Sequence, residues 1–315
     1  MPKVSVIIPI YGVERYISRC ARSLFLQTLD DIEYIFINDC TKDNSVDILR
    51  AVLEEYPERK TQTRIIDMPC NCGLPTVRRH GIELATGDYI IHCDSDDWVE
   101  KDMYELLWNK AVEDDADIVN TRAFVSSDVK DSMLEEVYVE NKEALMFSYV
   151  GVWSKLVRRE LYLDLWYYPV DNMWEDRVFT LQLVHRAKKI SFVDRYLYHY
   201  YINPSSICRD VSDESIRKNW EAVKRNLTKM KEYVASHKIS GCEKYLLIRE
   251  FCALDIIASS TKKREWYIEW KNSFPKFHKS NILFSSLPFK YKIKYYLTYF
   301  RIYPYIQEVV CKKIR

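Results

Sequence analysis

A short apolar run that ends in a cluster of aspartates constrains this chain more than any other part of its sequence. Residues 89–93 (Tyr-Ile-Ile-His-Cys) are rich in strand-forming types and bounded by turn signals, which is typical of a short buried strand. Asp94, Ser95, Asp96 and Asp97 follow directly. Carboxylates this close repel one another in a low dielectric, and a fold tolerates them readily when they face water or a cation. The cluster is therefore either a solvated turn before the next helix or a site for Mg²⁺ or Mn²⁺ beside phosphate groups.

Alternating strand and helix patterns surround this run. Strands are predicted at residues 4–8, 32–37, 63–68 and 89–93, with helices between them at about 14–26, 45–55 and 75–85. Such alternation predicts an α/β protein with a mostly parallel, Rossmann-like sheet flanked by helices. The carboxyl ends of the strands then meet at one edge, where a crevice suits a nucleotide.

The usual phosphate-binding loops are absent from the sequence. It has neither GxGxxG nor GxxxxGK[ST], and it contains only 6 glycines. Backbone N–H groups therefore do not cradle phosphates in the usual way. A cation held by the aspartates of residues 94–97 can neutralise them instead, and this favours the metal–phosphate interpretation.

Less regular patterns follow Trp98. The predicted elements are a helix at about 101–113, a strand at 117–120, a polar loop or hairpin at 124–136, a helix opened by residues 172–179, strands at 190–193 and 196–201, and helices from 212 to about 260. We predict an α/β domain at 1–210. A helical C-terminal region then occupies residues 211–315.

Composition argues against several classes of protein. The formal net charge is +1, so no overall basic character points to nucleic acid. No apolar stretch reaches the length of a transmembrane helix, and residues 3–10 are predicted to be a strand instead of a signal sequence. The 9 cysteines, an odd number, lie partly in predicted core elements, which favours reduced thiols in the cytoplasm. Cys70 and Cys72 lack the second pair that a zinc site needs.

In several blocks the sequence resembles the family-2 inverting glycosyltransferases, which have the GT-A fold. The similarity extends over about residues 3–205. One block, Asn38-Asp39-Cys40-Thr41-Lys42-Asp43-Asn44-Ser45, is similar to the family's DDGSTDNS loop. The other blocks are residues 4–17 with 23–28, residues 71–97, residues 153–158, and Glu175-Asp176. Each block is a modest signal, but together they occur in the family's order and at plausible separations.

The resemblance implies that residues 1–210 are a catalytic domain, with a nucleotide-sugar half at about 1–100 and an acceptor half at about 101–210. It also implies a role for each matching residue. The donor, a nucleotide-diphosphate sugar, would contact Pro9, Tyr11, Glu14, Asp39, Arg78, Asp94 and Ser95. Asp96 would bind the divalent cation, Mg²⁺ or Mn²⁺, that bridges the diphosphate, and Asp176 would be the general base. The same site is predicted to include Asp97, Lys155, Glu175 and His199, with Lys155 near the acceptor and His199 near the diphosphate.

Each of these side chains also has an ordinary structural explanation. The alternatives are an Asx turn for Asp39, first-turn helix acids for Glu14, Glu175 and Asp176, surface ion pairs for Arg78, rim packing for Tyr11, a solvated strand edge for Lys155, and core packing for His199. Three positions depart from the family pattern: Cys40 replaces a glycine, His80 replaces an asparagine, and Pro75 is uncommon there. We expect Cys40 to tighten its loop without removing the site, and the other two to affect the choice of sugar.

Inverting transfer is a single displacement with two chemical demands. The leaving diphosphate must be neutralised, and a separate carboxylate must take the proton of the acceptor hydroxyl. The predicted function is metal-dependent transfer of a sugar from a UDP-linked donor to a hydroxyl of a glycan or lipid-linked acceptor. Two alternatives stay open: a non-catalytic paralogue that only binds a nucleotide sugar or glycan, and a nucleotidyltransferase, which would share the crevice.

The C-terminal region contains two further patterns. The first is an apolar helical face, typical of core, formed by Trp220, Val223, Leu227, Met230 and Val234. The second starts at Leu287, where Lys290, Lys292, Lys294 and Arg301 interleave with aromatic residues. This pattern suits an anionic membrane surface, although a packed helix with snorkelling lysines or a nucleic-acid contact would show it too. We expect a cytoplasmic protein that contacts the inner face of the cell membrane and no nucleic acid.

Overall fold

The chain divides into two units, residues 1–206 and 207–315. The computed structural model describes residues 1–127, 130–134, 142–147, 151–203, 212–279, 282–285 and 287–307. The boundary predicted near residue 210 lies outside the described residues. The strands described in the first unit are β1 (Val4–Ile10), β2 (Ile32–Asn38), β3 (Thr63–Asp67), β4 (Tyr89–His92), β5 (Trp98–Val99), β6 (Ile118–Ser126), β7 (Asp131–Met133), β8 (Lys155–Arg158) and β9 (Ile190–Tyr201). The α-helices described there are α1 (Ile17–Phe25), α2 (Ser45–Glu54), α3 (Leu74–Leu84), α4 (Met103–Asp114), α5 (Lys142–Met146) and α6 (Glu175–Arg186).

These strands form one sheet, in the order β3-β2-β1-β4-β8-β6-β9-β5, with β7 beside β6. The half made of β3, β2, β1 and β4 is parallel, which confirms the predicted α/β fold. Nearly all of β1 and β2 is buried, as expected of parallel strands covered by helices on both faces. Ile10 lies opposite Asn38 at the carboxyl ends of β1 and β2. The register therefore brings these ends to the same edge as the acidic turn after β4.

Beyond β4 the sheet is mixed. Strand β8 is antiparallel to β4 and β6, β9 is parallel to β6, and β5 is antiparallel to β9. The predicted strands at 190–193 and 196–201 are one strand, β9, whose pairing with β6 shifts register around Arg122. The predicted loop or hairpin at 124–136 is, in its described part, the β6–β7 hairpin. The parallel arrangement thus holds for β3, β2, β1 and β4, and the strands after β4 add short antiparallel pairs.

Helix α3 lies directly on the sheet at Gly81. A Cβ atom at this position would lie 2.4 Å from Cγ2 of Ile7 in β1 and 3.1 Å from Cδ1 of Ile37 in β2. The missing side chain therefore allows a close approach that a larger residue would prevent. This contact fixes the helix that carries Arg78 one turn earlier.

The second unit is helical in its described part. Its α-helices are α7 (Asp213–Ser236), α8 (Glu243–Ala258), α9 (Arg264–Asn272), α10 (Pro275–Lys279) and α11 (Phe289–Tyr299). The Ser212 side chain begins α7 by accepting the N–H of Ser215 at 3.3 Å. The predicted apolar face of α7 is buried, from Trp220 to Val234. Of the helices in the described ranges, none combines the length and the apolar character needed to cross a bilayer.

Candidate active site

The aspartates after β4 form a tight turn that is hydrogen-bonded to two residues of β9. The N–H of Asp97 donates to the carbonyl of Asp94 at 3.0 Å. The hydroxyl of Tyr198 donates to the Asp97 carboxylate at 2.6 Å and accepts the N–H of Asp94 at 3.1 Å. The N–H of Tyr201 donates to the other Asp97 oxygen at 2.7 Å. Asp97 is therefore an internal anchor of the turn and is only 1% exposed.

Burial and charge crowding shift the acids of this turn. Burial, followed by the charges of Asp96 and Asp94, raises the pKa of Asp97 well above its ordinary value, and the Tyr198 and Tyr201 hydrogen bonds oppose the rise. The pKa of Asp96 is raised by burial and then by Asp94. One Asp96 oxygen accepts from Asn203 at 2.9 Å. The turn thus concentrates negative charge that a cation would relieve.

Arg78 joins the acidic turn to a second pair of acids. One guanidinium nitrogen donates to Asp94 at 2.7 Å, and the other terminal nitrogen donates to Glu175 at 2.6 Å. The Arg78 side chain is 3% exposed, so both ion pairs are largely shielded from water. Burial lowers the pKa of Arg78, but Asp94, Glu175 and Asp176 together raise it by more. The guanidinium is therefore a permanent cation that joins Asp94, 16 residues later in the sequence, to Glu175, 97 residues later.

Glu175 and Asp176 occupy the first turn of α6. Trp174, just before this turn, has a φ of 68°, in the left-handed region that bulky residues rarely adopt. Glu175 is buried, and burial raises its pKa to about 8 while the Arg78 charge opposes the rise. Asp176 accepts the N–H of Arg177 at 2.8 Å and acts electrostatically on both Arg78 and Glu175. The structure therefore brings Asp176 into the same charged cluster as Asp94.

The loop after β2 forms the next part of the edge. The Asp39 carboxylate accepts the N–H of Cys72 at 2.6 Å and that of Gly73 at 2.9 Å. Asp39 is 4% exposed, and its two hydrogen bonds connect the turn before α3 to the end of β2. Among the described hydrogen bonds, the Asp39 side chain makes none within its own loop, so an Asx turn is not its explanation. Cys40 has a φ of 59°, which is the backbone conformation expected where the family has glycine. Contact of Asp39 with a nucleotide base stays a prediction.

A hydrogen-bonded network joins residues 12–14 to the loop before α2. Thr41 and Ser45 hydroxyls accept the N–H groups of Gly12 and Val13 at 2.9 and 3.1 Å. Asp43 accepts the N–H of Glu14 at 3.0 Å, and Glu14 in turn accepts that of Asn44 at 3.2 Å. The predicted helix start at residue 14 is wrong, because these bonds hold residue 14 in a loop and α1 begins at Ile17. Glu14 therefore has a structural partner, and its donor contact stays a prediction.

The remaining predicted residues fall into exposed and buried groups. Tyr11, beyond the end of β1, is 50% exposed and Pro9 is half-buried within β1. Ser95 is buried within the turn. Lys155 is 2% exposed and donates to the carbonyl of Gly151 at 3.1 Å, so a solvated strand edge is not its explanation.

His199 is packed away from the aspartates. Its ring stacks between Trp98 and Phe124, with ring centres 4.7 and 4.8 Å away. Its two nitrogens lie 2.9 Å from Glu100 and 3.1 Å from Ser126. Among the described residues, no hydrogen bond links His199 to the turn at 94–97. His199 is therefore packed in the core, which is the structural alternative given for it above.

Sequence reasoning missed Tyr198. Successive residues of a strand face opposite sides of the sheet, so Tyr198 and His199 cannot both face the acidic turn. The histidine has the more familiar site chemistry, but the structure turns Tyr198 to Asp94 and Asp97. Only the register of β9 against β5 settles this choice, because it puts His199 opposite Trp98.

The donor set fits a hard divalent cation better than a soft one. Asp94 and Asp96 offer carboxylate oxygens beside each other, and such ions are usually held by one or two carboxylates with substrate phosphates. Within the described ranges no group of three His, Cys, Asp or Glu side chains forms a complete protein-only cage.

Comparison with known proteins identifies the family. The sequence profile described as Glycosyl transferase family 2 matches residues 5–159. The uncharacterized glycosyltransferase EpsJ of Bacillus subtilis (strain 168) is 33% identical over 70% of this chain and 69% of its own length. The cholesterol galactosyltransferase of Borreliella burgdorferi is 33% identical over 67% of this chain and 63% of its own length. GlyA of Streptococcus pneumoniae is 29% identical, and the matching region spans only 34% of its length.

Solved structures share the fold at low sequence identity. TarS of S. aureus matches 97% of this chain and 55% of its own, with a TM-score of 0.61 and 19% identity. The complex of TarS residues 1–349 with UDP-GlcNAc covers 87% of this chain and 92% of its own, with a TM-score of 0.53 and 17% identity. The mannosyltransferase PcManGT of Pyrobaculum calidifontis, in complex with GDP-Man and Mn²⁺, covers 98% of this chain and 87% of its own, with a TM-score of 0.53 and 12% identity. These similarities show that the chain has a GT-A fold. Together with the sequence relatives, they show that this protein is a glycosyltransferase that belongs to glycosyl transferase family 2.

Proposed function

We propose that this glycosyltransferase moves a sugar from a UDP-linked donor to a hydroxyl of a glycan or lipid-linked acceptor, with inversion at the sugar carbon. The observation that carries the proposal is the Arg78 bridge, with its contacts of 2.7 Å to Asp94 and 2.6 Å to Glu175. It joins the acids on the proposed donor side to the helix turn that holds Asp176. Inverting transfer needs both parts at a fixed separation.

Asp176 is the proposed general base. Its neighbour Glu175 is buried and engaged by Arg78, whereas the described bond of the Asp176 carboxylate is to the adjacent N–H of Arg177. A carboxylate at a helix N-terminus is stabilised in its charged form by the free N–H groups there. It can accept the proton of the acceptor hydroxyl as that oxygen attacks the sugar carbon and the bond to the diphosphate breaks on the opposite face.

Asp96, with Asp94 beside it, would hold Mg²⁺ or Mn²⁺. Burial and then the charge of Asp94 raise the pKa of Asp96, so its charged form is disfavoured, and a bound cation would counter that effect. When bound, such a cation neutralises charge on the departing diphosphate. A structural neighbour binds GDP-Man with Mn²⁺, which supports the same arrangement here.

Two observations support UDP as the nucleotide. Asp39 lies at the carboxyl end of β2, where a nucleotide base would lie in this fold, and its carboxylate oxygens have lone pairs beyond those used by Cys72 and Gly73. The N–H group of a uracil base is a suitable hydrogen-bond donor to an Asp39 carboxylate oxygen. A structural neighbour binds UDP-GlcNAc, which agrees with this assignment.

A lipid-linked acceptor would place the reaction in the cytoplasm, at the inner face of the cell membrane. One relative of 33% identity is named as a cholesterol galactosyltransferase, so a lipid acceptor is known in a similar chain. The relatives and structural neighbours differ in the donors and acceptors that their names give. The experiment must therefore offer several donors and acceptors.

The test is a panel of nucleotide sugars with soluble and lipid-linked acceptors, read by mass spectrometry with and without Mn²⁺. We expect transfer from one UDP-sugar, loss of donor binding on chelation, and product of inverted anomeric configuration. Binding without turnover would instead support the non-catalytic paralogue. Release of pyrophosphate from a nucleoside triphosphate would support a nucleotidyltransferase.

Asp176→Asn tests the base directly. Loss of a general base typically costs about 10²–10⁴ in rate, so we expect kcat to fall in that range while donor affinity stays near wild type. Asp164→Asn is the matched control, because Asp164 is exposed and has a φ of 60°, which asparagine tolerates. Undiminished turnover in Asp176→Asn would overturn the assignment.

A further inference from the structure

The end of the second unit exposes large apolar side chains on one side of α11. Phe289 is 76% exposed, Ile293 is 45% exposed and Phe300, at the end of the helix, is 65% exposed. These positions are four and seven residues apart, so they lie on one helical face. The opposite face is the packed one, since Tyr295 and Thr298 are buried. The outward face of α11 is therefore apolar, the reverse of an ordinary surface helix.

Exposed apolar side chains continue past the helix. Arg301 has a φ of 60°, and the chain turns there. Ile302, Tyr305 and Ile306 follow, with exposures of 45%, 55% and 43%. Single exposed apolar residues are ordinary, but a run of them on adjoining segments marks an interaction surface.

The charge around this face is of one sign. Between Glu269 and Glu308 the sequence has no Asp or Glu but seven Lys and Arg. Lys290 and Lys292 lie on either side of the apolar face by helical spacing, and Lys290 is exposed. Lys294 points inward instead, where it pairs with Asp255 at 2.6 Å. Cations thus border the apolar face, which complements an anionic surface with an apolar interior.

We propose that this face, Phe289, Ile293 and Phe300 with the flanking lysines Lys290 and Lys292, docks the protein on an anionic phospholipid bilayer. The three apolar side chains enter the boundary between headgroups and acyl chains, and the lysines contact anionic headgroups. A nucleic acid would match the cations but leave the apolar side chains without a partner. The proposal goes beyond sugar transfer, because neither the donor site nor the base requires it.

The test is flotation of the full chain with vesicles of phosphatidylcholine alone or with phosphatidylglycerol. We expect binding only to the anionic vesicles, weakened when salt rises from 0.1 to 0.5 M because charges are then screened within about 5 Å. The variant Phe289→Ser/Ile293→Ser/Phe300→Ser should bind about tenfold more weakly or worse. Lys290→Gln/Lys292→Gln should keep part of the binding and lose most of its salt dependence.

A matched control replaces equally exposed apolar residues elsewhere. Leu26, Val112 and Met133 are 58%, 58% and 64% exposed, and Leu26→Ser/Val112→Ser/Met133→Ser should bind vesicles like wild type. If the triple variant at α11 is poorly folded by circular dichroism, Phe289→Ser alone supplies the same comparison. Wild-type failure to bind anionic vesicles, or unchanged binding in the α11 variants, would overturn the proposal.

A second copy of the chain, or a nucleic acid, could bind the apolar face of α11 instead of a membrane, and each would give a distinct result. Light scattering that shows a dimer abolished by the α11 substitutions, without vesicle binding, would assign the face to a second copy of the chain. Retention of RNA that these substitutions abolish would assign it to nucleic acid. Each result overturns the membrane proposal, and neither affects transfer to a soluble acceptor, which is measured separately.

Discussion

Arg78 shows how one side chain can make an otherwise unfavourable arrangement of acids stable. Asp94 and Glu175 face each other across its guanidinium, and Asp176 lies close enough to raise its pKa. Removing the partner of a buried charge costs about 3–5 kcal/mol, because the remaining charge is left without compensation. The geometry also uses both terminal nitrogens at once, which the single ammonium of lysine cannot reproduce.

Arg78→Lys should therefore lower both activity and stability. Keeping the charge but losing one of two hydrogen bonds should cost about 1–3 kcal/mol in the free energy of unfolding. Misplacement of Asp176 by a fraction of an ångström should lower kcat by about 10–100-fold. Urea denaturation and steady-state kinetics measure the two effects.

The neighbouring Arg79 supplies the control for this substitution. It pairs with Glu83 at 2.9 Å on the surface, with a side-chain exposure of 55%. Arg79→Lys should change stability by less than about 0.5 kcal/mol and leave kcat unaltered. Equal effects of the two substitutions would show that the Arg78 bridge has no special role.

Tyr198→Phe should loosen the acidic turn. The change removes one hydroxyl that both donates to Asp97 at 2.6 Å and accepts from Asp94 at 3.1 Å. It leaves buried polar groups without a partner, so we expect a loss of about 1–3 kcal/mol and weaker donor binding. Tyr162→Phe is the contrast, because the buried Tyr162 hydroxyl has no hydrogen-bond partner among the described residues, and its loss should be neutral or stabilising. Urea denaturation measures the stability of the two variants, and calorimetry measures their donor binding. Equal losses of stability in both variants would contradict a special role for the Tyr198 hydroxyl.

At the scale of elements, the loop before α2 is organised by one carboxylate. Asp43 accepts the hydroxyls of Thr41 at 2.7 Å and Ser45 at 2.6 Å, and the N–H of Glu14 at 3.0 Å. Burial acts to raise the pKa of Asp43, but the Ser45 and Thr41 hydrogen bonds outweigh it, and the pKa falls below its ordinary value of 3.8. The charged form therefore binds this loop to the end of β1.

Asp43→Asn should destabilise the protein in a pH-dependent way. A carboxyl whose pKa is lowered on folding contributes stability above the unfolded pKa of 3.8 and loses it as the pH falls through the folded value. At pH 7 we expect a loss of about 1–2 kcal/mol. The difference from wild type should shrink as the pH falls below 3.8 and through the lower folded pKa, because wild-type Asp43 then takes up a proton as well. Urea midpoints measured from pH 7 down through this acidic range test it.

Asp47→Asn is the control for this substitution, because Asp47 lies exposed in the first turn of α2. It should cost only a few tenths of a kcal/mol, through the helix dipole. A pH-independent loss in Asp43→Asn would mean that its carboxylate charge is unimportant.

The parallel half of the sheet could be predicted because its strands are apolar runs bounded by turn residues. Beyond β4, strands near β6 and β9 could also be predicted, but β5 has only two residues, and no local pattern reveals that β8 pairs antiparallel with β4 and β6. The start of α1 was misplaced for a related reason. The apolar period extends to Tyr16, but hydrogen bonds from the distant loop 41–45 hold residues 12–14 outside the helix.

At the scale of the whole molecule, residue types near the site could be predicted but their partners could not. The sequence motifs identified Asp94, Arg78 and Glu175, yet only the fold shows that Arg78 contacts the other two. In the second unit, the sequence shows basic and aromatic residues alternating after Leu287. The structure turns Lys294 and Tyr295 inward and exposes Phe289, Ile293 and Phe300, and this selection of side chains could not be predicted from the sequence.

The two units should therefore carry separable activities. Asp176→Asn should abolish most transfer to any acceptor but leave vesicle binding unchanged. Phe289→Ser/Ile293→Ser/Phe300→Ser should leave transfer to a soluble acceptor near wild type, and should lower transfer about tenfold when the same acceptor is displayed on anionic vesicles. The physical reason is that membrane attachment raises the local concentration of enzyme near a lipid-linked acceptor without altering the chemical step. Parallel assays on one preparation of each variant measure both activities, and an equal loss on the soluble acceptor would mean that the α11 face supports the catalytic unit itself.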